Sequence, residues 1–334
     1  MVGEYAEAVS TAETAGGAQP CMKGALRAAE GAREAAGGRR ETPAAAAAQA
    51  DWLAARQYAY LLFQRLFGAE PSGELFSAID VAVARDAFGI ACGAADGSAG
   101  AEAGAGEDGG GADVAGAADA LASAAEGGDA ARAMPGDGGA AHAAPGSGST
   151  TEAGEASAAP VPLPPAFREL LGVLEDAAGA DADGLDAWKA EYTRLFVGPA
   201  ALPAPPWESV YTSHGRLVMQ PSTLEVRAAY RKRGFEPALC RRVPDDHVAL
   251  ELDFMAVLAK EALEACQCAD AKGARDALAA SAQFLREHLG VWVQEFADAL
   301  CGKGRAPRYA PVACALAAFV ASDAERLAGA DGKV

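Results

Sequence analysis

The stretch Pro244–Leu258, PDDHVALELDFMAVL, decides the fold. Val248, Leu252, Met255 and Ala259 recur at helical spacing along one stripe, and Leu250, Phe254, Val257 and Leu258 along another. A helix apolar around so much of its girth belongs in the middle of a bundle. Pro244 fits a first helical turn, where its missing N–H is no loss, and Asp245 and Asp246 complement the positive end of the helix dipole.

Outward from this element the pattern stays helical. Trp52, Leu53, Tyr60, Leu62, Phe63, Leu66 and Phe67 form one amphipathic face that stops at Gly68, and Pro71 opens a second helix running through Leu75, Phe76 and Ile79 toward Phe88. Pro165 begins a third, and Leu185–Val197, with Trp188, Tyr192, Leu195 and Phe196, makes a fourth that Gly198-Pro199 ends. Ser222 and Glu225 have the spacing of a capping box, opening a helix that closes at Gly234. Helices around Phe284–Leu289, Val291–Leu300 and Val312–Leu327 complete the set. No strand alternation is convincing, so the expected class is all-α: a single globular multi-helix domain.

Two segments are too poor in large apolar side chains to offset the entropy of ordering their backbones. Residues 1–50 read as a disordered extension, in which Arg39-Arg40 is followed by Glu41-Thr42-Pro43 rather than by the clean apolar run of an exported leader. Residues 93–160 read as a disordered low-complexity insert in a domain spanning 51–334, with 11 acids against Arg132 and, beyond valine, only Leu121 as a large aliphatic. The chain has 334 residues and a formal charge of −18, so about −10 of that charge sits in the insert and says little about a binding site. On the order of 215 residues remain, a size one hydrophobic core can serve.

The acidic balance argues against nucleic acid as a partner. No run has the branched and aromatic density of a membrane span, and no basic segment leads an apolar core at the N-terminus, so a cytoplasmic protein without stable membrane insertion is expected. The seven cysteines lack a CxxC pair and read as reduced; Cys266 and Cys268, two apart on a helix, point away from each other and make a poor metal site. His142, His214, His247 and His288 are scattered, and GxxxxGK[ST], HExxH and Glu-x-x-His are absent. No metal, no cofactor and no enzymatic activity are expected.

Two segments stand out. Gly198–Tyr211, GPAALPAPPWESVY, lies in a proline-rich connection, Pro199–Pro221, longer than bundle helices usually need. Its prolines stiffen an extended backbone, and Trp207 and Tyr211 offer wide apolar faces, which suits a peptide groove as well as a stiff connection whose Trp caps the core. In PDDH, Asp246 and His247 suit a basic ligand at a helix mouth; equally, the acids suit the helix dipole alone, with His247 paired to Glu251 one turn on.

At these segments the sequence resembles the TorD/DmsD family of redox-enzyme maturation chaperones, and more distantly the nitrate reductase delta-type chaperones. The matching runs are EYTRLFVGP (Glu191–Pro199), PPWESVY (Pro205–Tyr211), STLEVRAAYRKRGFE (Ser222–Glu236) and PDDHVALELDFMAVL (Pro244–Leu258). The resemblance implies an all-helical cytoplasmic chaperone that binds the twin-arginine leader of a molybdopterin-containing oxidoreductase of dimethyl-sulfoxide-reductase type, and assists its cofactor loading and assembly before export. It places the leader-binding surface at Pro205, Pro206, Trp207, Ser209, Tyr211, Pro244, Asp246 and His247, with Asp246 as the arginine partner and Trp207 as the apolar anchor. A homodimer formed by exchange of helices is compatible with the long connections. The competing classes are a permanently bound assembly subunit and a weak GTP-binding or GTP-hydrolysing protein using Asp245, Asp246 and His247.

Overall fold

The computed structural model describes residues 43–93, 113–123, 163–199, 201–236, 244–302 and 306–331. Twelve α-helices occur among them: α1 Pro43–Gly68, α2 Gly73–Ala78, α3 Val81–Cys92, α4 Val114–Ser123, α5 Pro165–Ala178, α6 Ala182–Tyr192, α7 Glu208–Thr212, α8 Pro221–Lys232, α9 Val248–Gln267, α10 Ala271–Glu287, α11 Leu289–Cys301 and α12 Tyr309–Asp331. A π-helical turn, Thr193–Val197, prolongs α6 until Gly198, at φ 87°, ends it. No named strand occurs among the described residues, and the class is all-α as expected.

The α9 helix is the axis of the bundle, packed chiefly on α1 and α10. Its Val248, Leu252, Met255 and Leu258 are wholly buried, as are Leu53, Leu62 and Phe63 of α1. An aromatic cluster of Phe67, Trp188, Phe196, Phe296 and Tyr309 ties α1, α6, α11 and α12 together, with Phe67 edge-on to both Phe196 and Phe296. Glu191, buried at the start of the EYTRLFVGP run, accepts the N–H groups of Arg308 and Tyr309 at 3.0 Å each. A carboxylate is thereby set against the positive end of α12, so this motif also fixes where the last helix begins.

Several sequence expectations are corrected. The first helix begins at Pro43, so residues 43–50 belong to α1 and not to the extension; residues 1–42 lie outside the described ones. The single helix expected from Pro71 to Phe88 is two, because the carboxylate of Asp80 accepts from the N–H groups of Ala82 and Val83 and restarts the helix there. Val114–Ser123, in the middle of the expected unfolded insert, form α4. Its Val114, Ala118 and Leu121 are buried against α1 and α3, and Arg65 donates to the C-terminal carbonyls of Leu121 and Ala122. The other insert residues between 94 and 162 lie outside the described ones.

The capping box is not formed: α8 starts at Pro221 with Gln220 as its cap, and the Ser222 hydroxyl, already inside the helix, has no hydrogen-bond partner. Cys301 and Cys314, on packed helices α11 and α12, are joined as a disulfide, against the expectation that all cysteines are reduced. The pair is 13 residues apart, and only the packing of the two helices brings it together. Cys92, Cys266 and Cys268 are free.

Candidate functional site

The site is built where the proline-rich connection meets the start of α9. Pro206 is buried and its carbonyl accepts the N–H of Val248 at 2.9 Å, while the N–H of Glu208 donates to the Asp246 carbonyl at 2.9 Å. These bonds make an isolated antiparallel bridge between Trp207 and His247. Two segments about 40 residues apart in sequence are thus zipped backbone to backbone, and all eight residues expected at the site lie around that bridge.

Pro244 does not open a helix. Asp245 and Asp246 occupy a turn, and α9 begins at Val248 with His247 as its cap, the ring Nδ1 accepting the Ala249 N–H at 3.1 Å. Burial holds the His247 imidazole neutral, lowering its pKa to about 3. Glu251, one turn beyond His247, accepts the Trp292 indole N–H at 3.2 Å. The helix dipole does find a carboxylate at this corner, but at the N-terminus of α7, where Asp246 Oδ2 accepts the Ser209 N–H at 2.8 Å.

Both aspartates of PDDH are wholly buried. Asp245 is paired with Arg227 of α8, and its carbonyl accepts the Tyr230 hydroxyl. Burial raises the Asp245 pKa and Arg227 opposes the rise. Behind α7, Glu208 lies 3.2 Å from His288 Nδ1, and burial with the nearby Glu208 pushes the Glu251 carboxyl well above the usual range. Four acids therefore crowd one buried corner, with Arg227, Arg231 and His288 among their basic neighbours. Trp207 Nε1, Ser209 Oγ and Asp246 Oδ1 are buried there without a hydrogen-bond partner, which leaves donor and acceptor capacity at this corner unused.

The solvent-facing part is narrower than the sequence suggested. Pro205, Trp207, Tyr211 and Pro244 are half-buried, whereas Pro206, Ser209, Asp246 and His247 are buried behind them. Trp207 stands edge-on to His247 with centroids 5.8 Å apart, and Tyr211 stacks on Trp292 at 5.3 Å. Sequence reasoning passed over Glu208, Arg227 and Trp292, weighed Glu251 only as a partner of His247, and noted His288 only as one of four scattered histidines. Glu208 carried a signal, an acid between Trp207 and Ser209 in the motif itself; His288 and Trp292 carried none, since only folding brings α11 to this corner.

Residues 162–298 match the family described as nitrate reductase delta subunit. The chain is 31% identical over 124 residues to the Tat proofreading chaperone DmsD of Salmonella typhimurium, covering 37% of this chain and 52% of that protein. It is 31% identical over 130 residues to the chaperone protein TorD of Vibrio cholerae, covering 39% and 56%. The resemblance to the TorD and DmsD chaperones holds. The chain spans about half the length of the curated relatives it matches. The family match runs from α5 into α11 and contains all eight candidate residues; α1 to α4 and α12 lie outside it.

Proposed function

We propose that this protein is a chaperone that binds the twin-arginine leader of a molybdopterin-containing oxidoreductase of dimethyl-sulfoxide-reductase type, and assists its cofactor loading and assembly before export. It acts in the cytoplasm as a binding protein without covalent chemistry. The observation that carries this reading is the Trp207–His247 bridge, which turns two separated motifs into one aromatic surface backed by buried carboxylates. The likeness to chaperones named for Tat proofreading supports it. No helix among the described residues is long and apolar enough to cross a membrane.

Within this reading Trp207 and Tyr211 make the first contacts. Asp246 presents no oxygen to solvent, so its pairing with a leader arginine requires the Pro205–Tyr211 segment to lift and free Oδ1, the oxygen not used by Ser209. Titration calorimetry of the full chain with a synthetic leader tests the assignment. Trp207→Ala is expected to weaken binding about ten- to thirtyfold, the effect of losing an aromatic anchor. Unchanged affinity in both Trp207→Ala and Tyr211→Ala would move leader binding to another surface.

A further inference from the structure

Five large apolar side chains stand 44–62% open to solvent around one corner: Leu217, Val218 and Met219 in the loop after α7, Leu224 in the first turn of α8, and Val291 near the start of α11. Arg216 and Met219 have φ of 50° and 59°. That left-handed conformation is unfavourable for residues with a Cβ, and here it brackets the exposed pair Leu217 and Val218. The loop is held in place. Arg216 lies over the Tyr211 ring at 5.5 Å and 3.4 Å from the Glu295 carboxylate, and the Gln220 side chain donates to the Val218 carbonyl. Glu295 is one turn beyond Val291 on the same helix face, so the Arg216–Glu295 pair sets the loop beside Val291. Val291 in turn walls an open groove of about 530 Å³ lined by Leu285, Val293, Val320 and several alanines, with Arg286 as its one charged lining residue.

We infer that this corner receives the apolar stretch that follows the arginine pair of a leader, while the Trp207–Tyr211 surface receives the segment nearer the arginines. The inference rests on the leader-binding reading above. Continuity argues for it, because Tyr211 belongs to that surface and carries Arg216 of the loop on its ring. Size argues for a peptide over a second copy of the chain. The five side chains expose on the order of 500 Å², as large as the functional patches of soluble monomers but short of the roughly 800 Å² per partner of a stable protein interface.

The test uses fluorescence anisotropy of the full chain with two labelled peptides. One has two adjacent arginines followed by roughly ten apolar residues, the length of a leader core; the other replaces those residues with Ser and Gly. The double substitution Leu217→Ser/Met219→Ser touches only exposed side chains, and an unchanged melting temperature shows that the fold persists. The apolar peptide is expected to bind the double variant at least tenfold more weakly than the wild type, and the polar peptide to bind weakly and equally to both. Equal binding of the apolar peptide to wild type and variant would overturn the inference and leave the leader reading standing. Failure of the wild type to bind either peptide would remove both. A wild-type dimer that becomes monomeric in the double variant, seen by analytical ultracentrifugation, would reassign the corner to self-association.

Discussion

Asp246 holds the N–H of Ser209 with one carboxylate oxygen and the N–H of Glu208 with its own carbonyl, so it keeps the Pro205–Tyr211 segment on the start of α9. Asp246→Ala is expected to cost about 2 kcal/mol of stability, the scale of a lost hydrogen bond to a charged group. Asp246→Asn should cost less, since its amide oxygen can still accept; urea denaturation separates the two. His247 governs an acid-side dependence. Its folded pKa, about 3, lies below the ordinary value of 6.5 because the ring is buried. The unfolded chain therefore binds the extra proton between these values, and the contribution is fully present above pH 6.5 and is lost as pH falls toward 3. At pH 5 this amounts to about 2 kcal/mol relative to pH 7. His247→Asn keeps an acceptor for the Ala249 N–H, so denaturation midpoints between pH 7 and 5 should fall less steeply in that variant than in the wild type.

At the scale of elements, α4 is the part that composition least foretold. A segment of Ala, Gly and Asp has little to bury, yet Val114, Ala118 and Leu121 are spaced to lie along one face, and α1 and α3 supply the apolar surface they need. Leu121→Ala is expected to destabilise the protein by about 2 to 3 kcal/mol, through lost burial and the cavity left behind. An identical urea midpoint for this variant would mean that α4 does not dock in solution. The short α7 shows the converse. Five residues cannot sustain a helix alone, and Glu208–Thr212 is held by Asp246 at its N-terminus and by the packing of Tyr211 on Trp292.

Across the whole molecule, the N- and C-terminal helices of the described chain are joined by one buried ion pair. Arg56 of α1 donates through Nε to both oxygens of Asp323 in α12, at 2.8 and 2.9 Å, and the Tyr60 hydroxyl donates to the same carboxylate at 2.6 Å. Both charged side chains are essentially inaccessible. Asp323→Ala leaves a guanidinium buried without its counter-charge and is expected to cost about 3 to 5 kcal/mol, whereas Arg56→Met/Asp323→Leu should recover most of that loss. Thermal unfolding of the single and double variants checks both expectations.

By itself the sequence determined the helical class, the central place of Val248–Leu258 and the two motifs of the candidate site, because each rests on periodicity or local chain stiffness that a handful of neighbouring residues express. Gly198 and Gly234 end their helices where expected for the same reason, both at positive φ. The tertiary structure alone decided the remainder. Whether Ser222 caps a helix, whether Asp246 faces solvent, and which partners His247 and Glu251 take depend on what folding brings alongside them, and no spacing within a segment encodes that. Glu208 with His288, Glu251 with Trp292 and Arg56 with Asp323 are pairs separated by 80, 41 and 267 residues. Their energies come from excluding water around both members at once, a condition that exists only in the packed bundle.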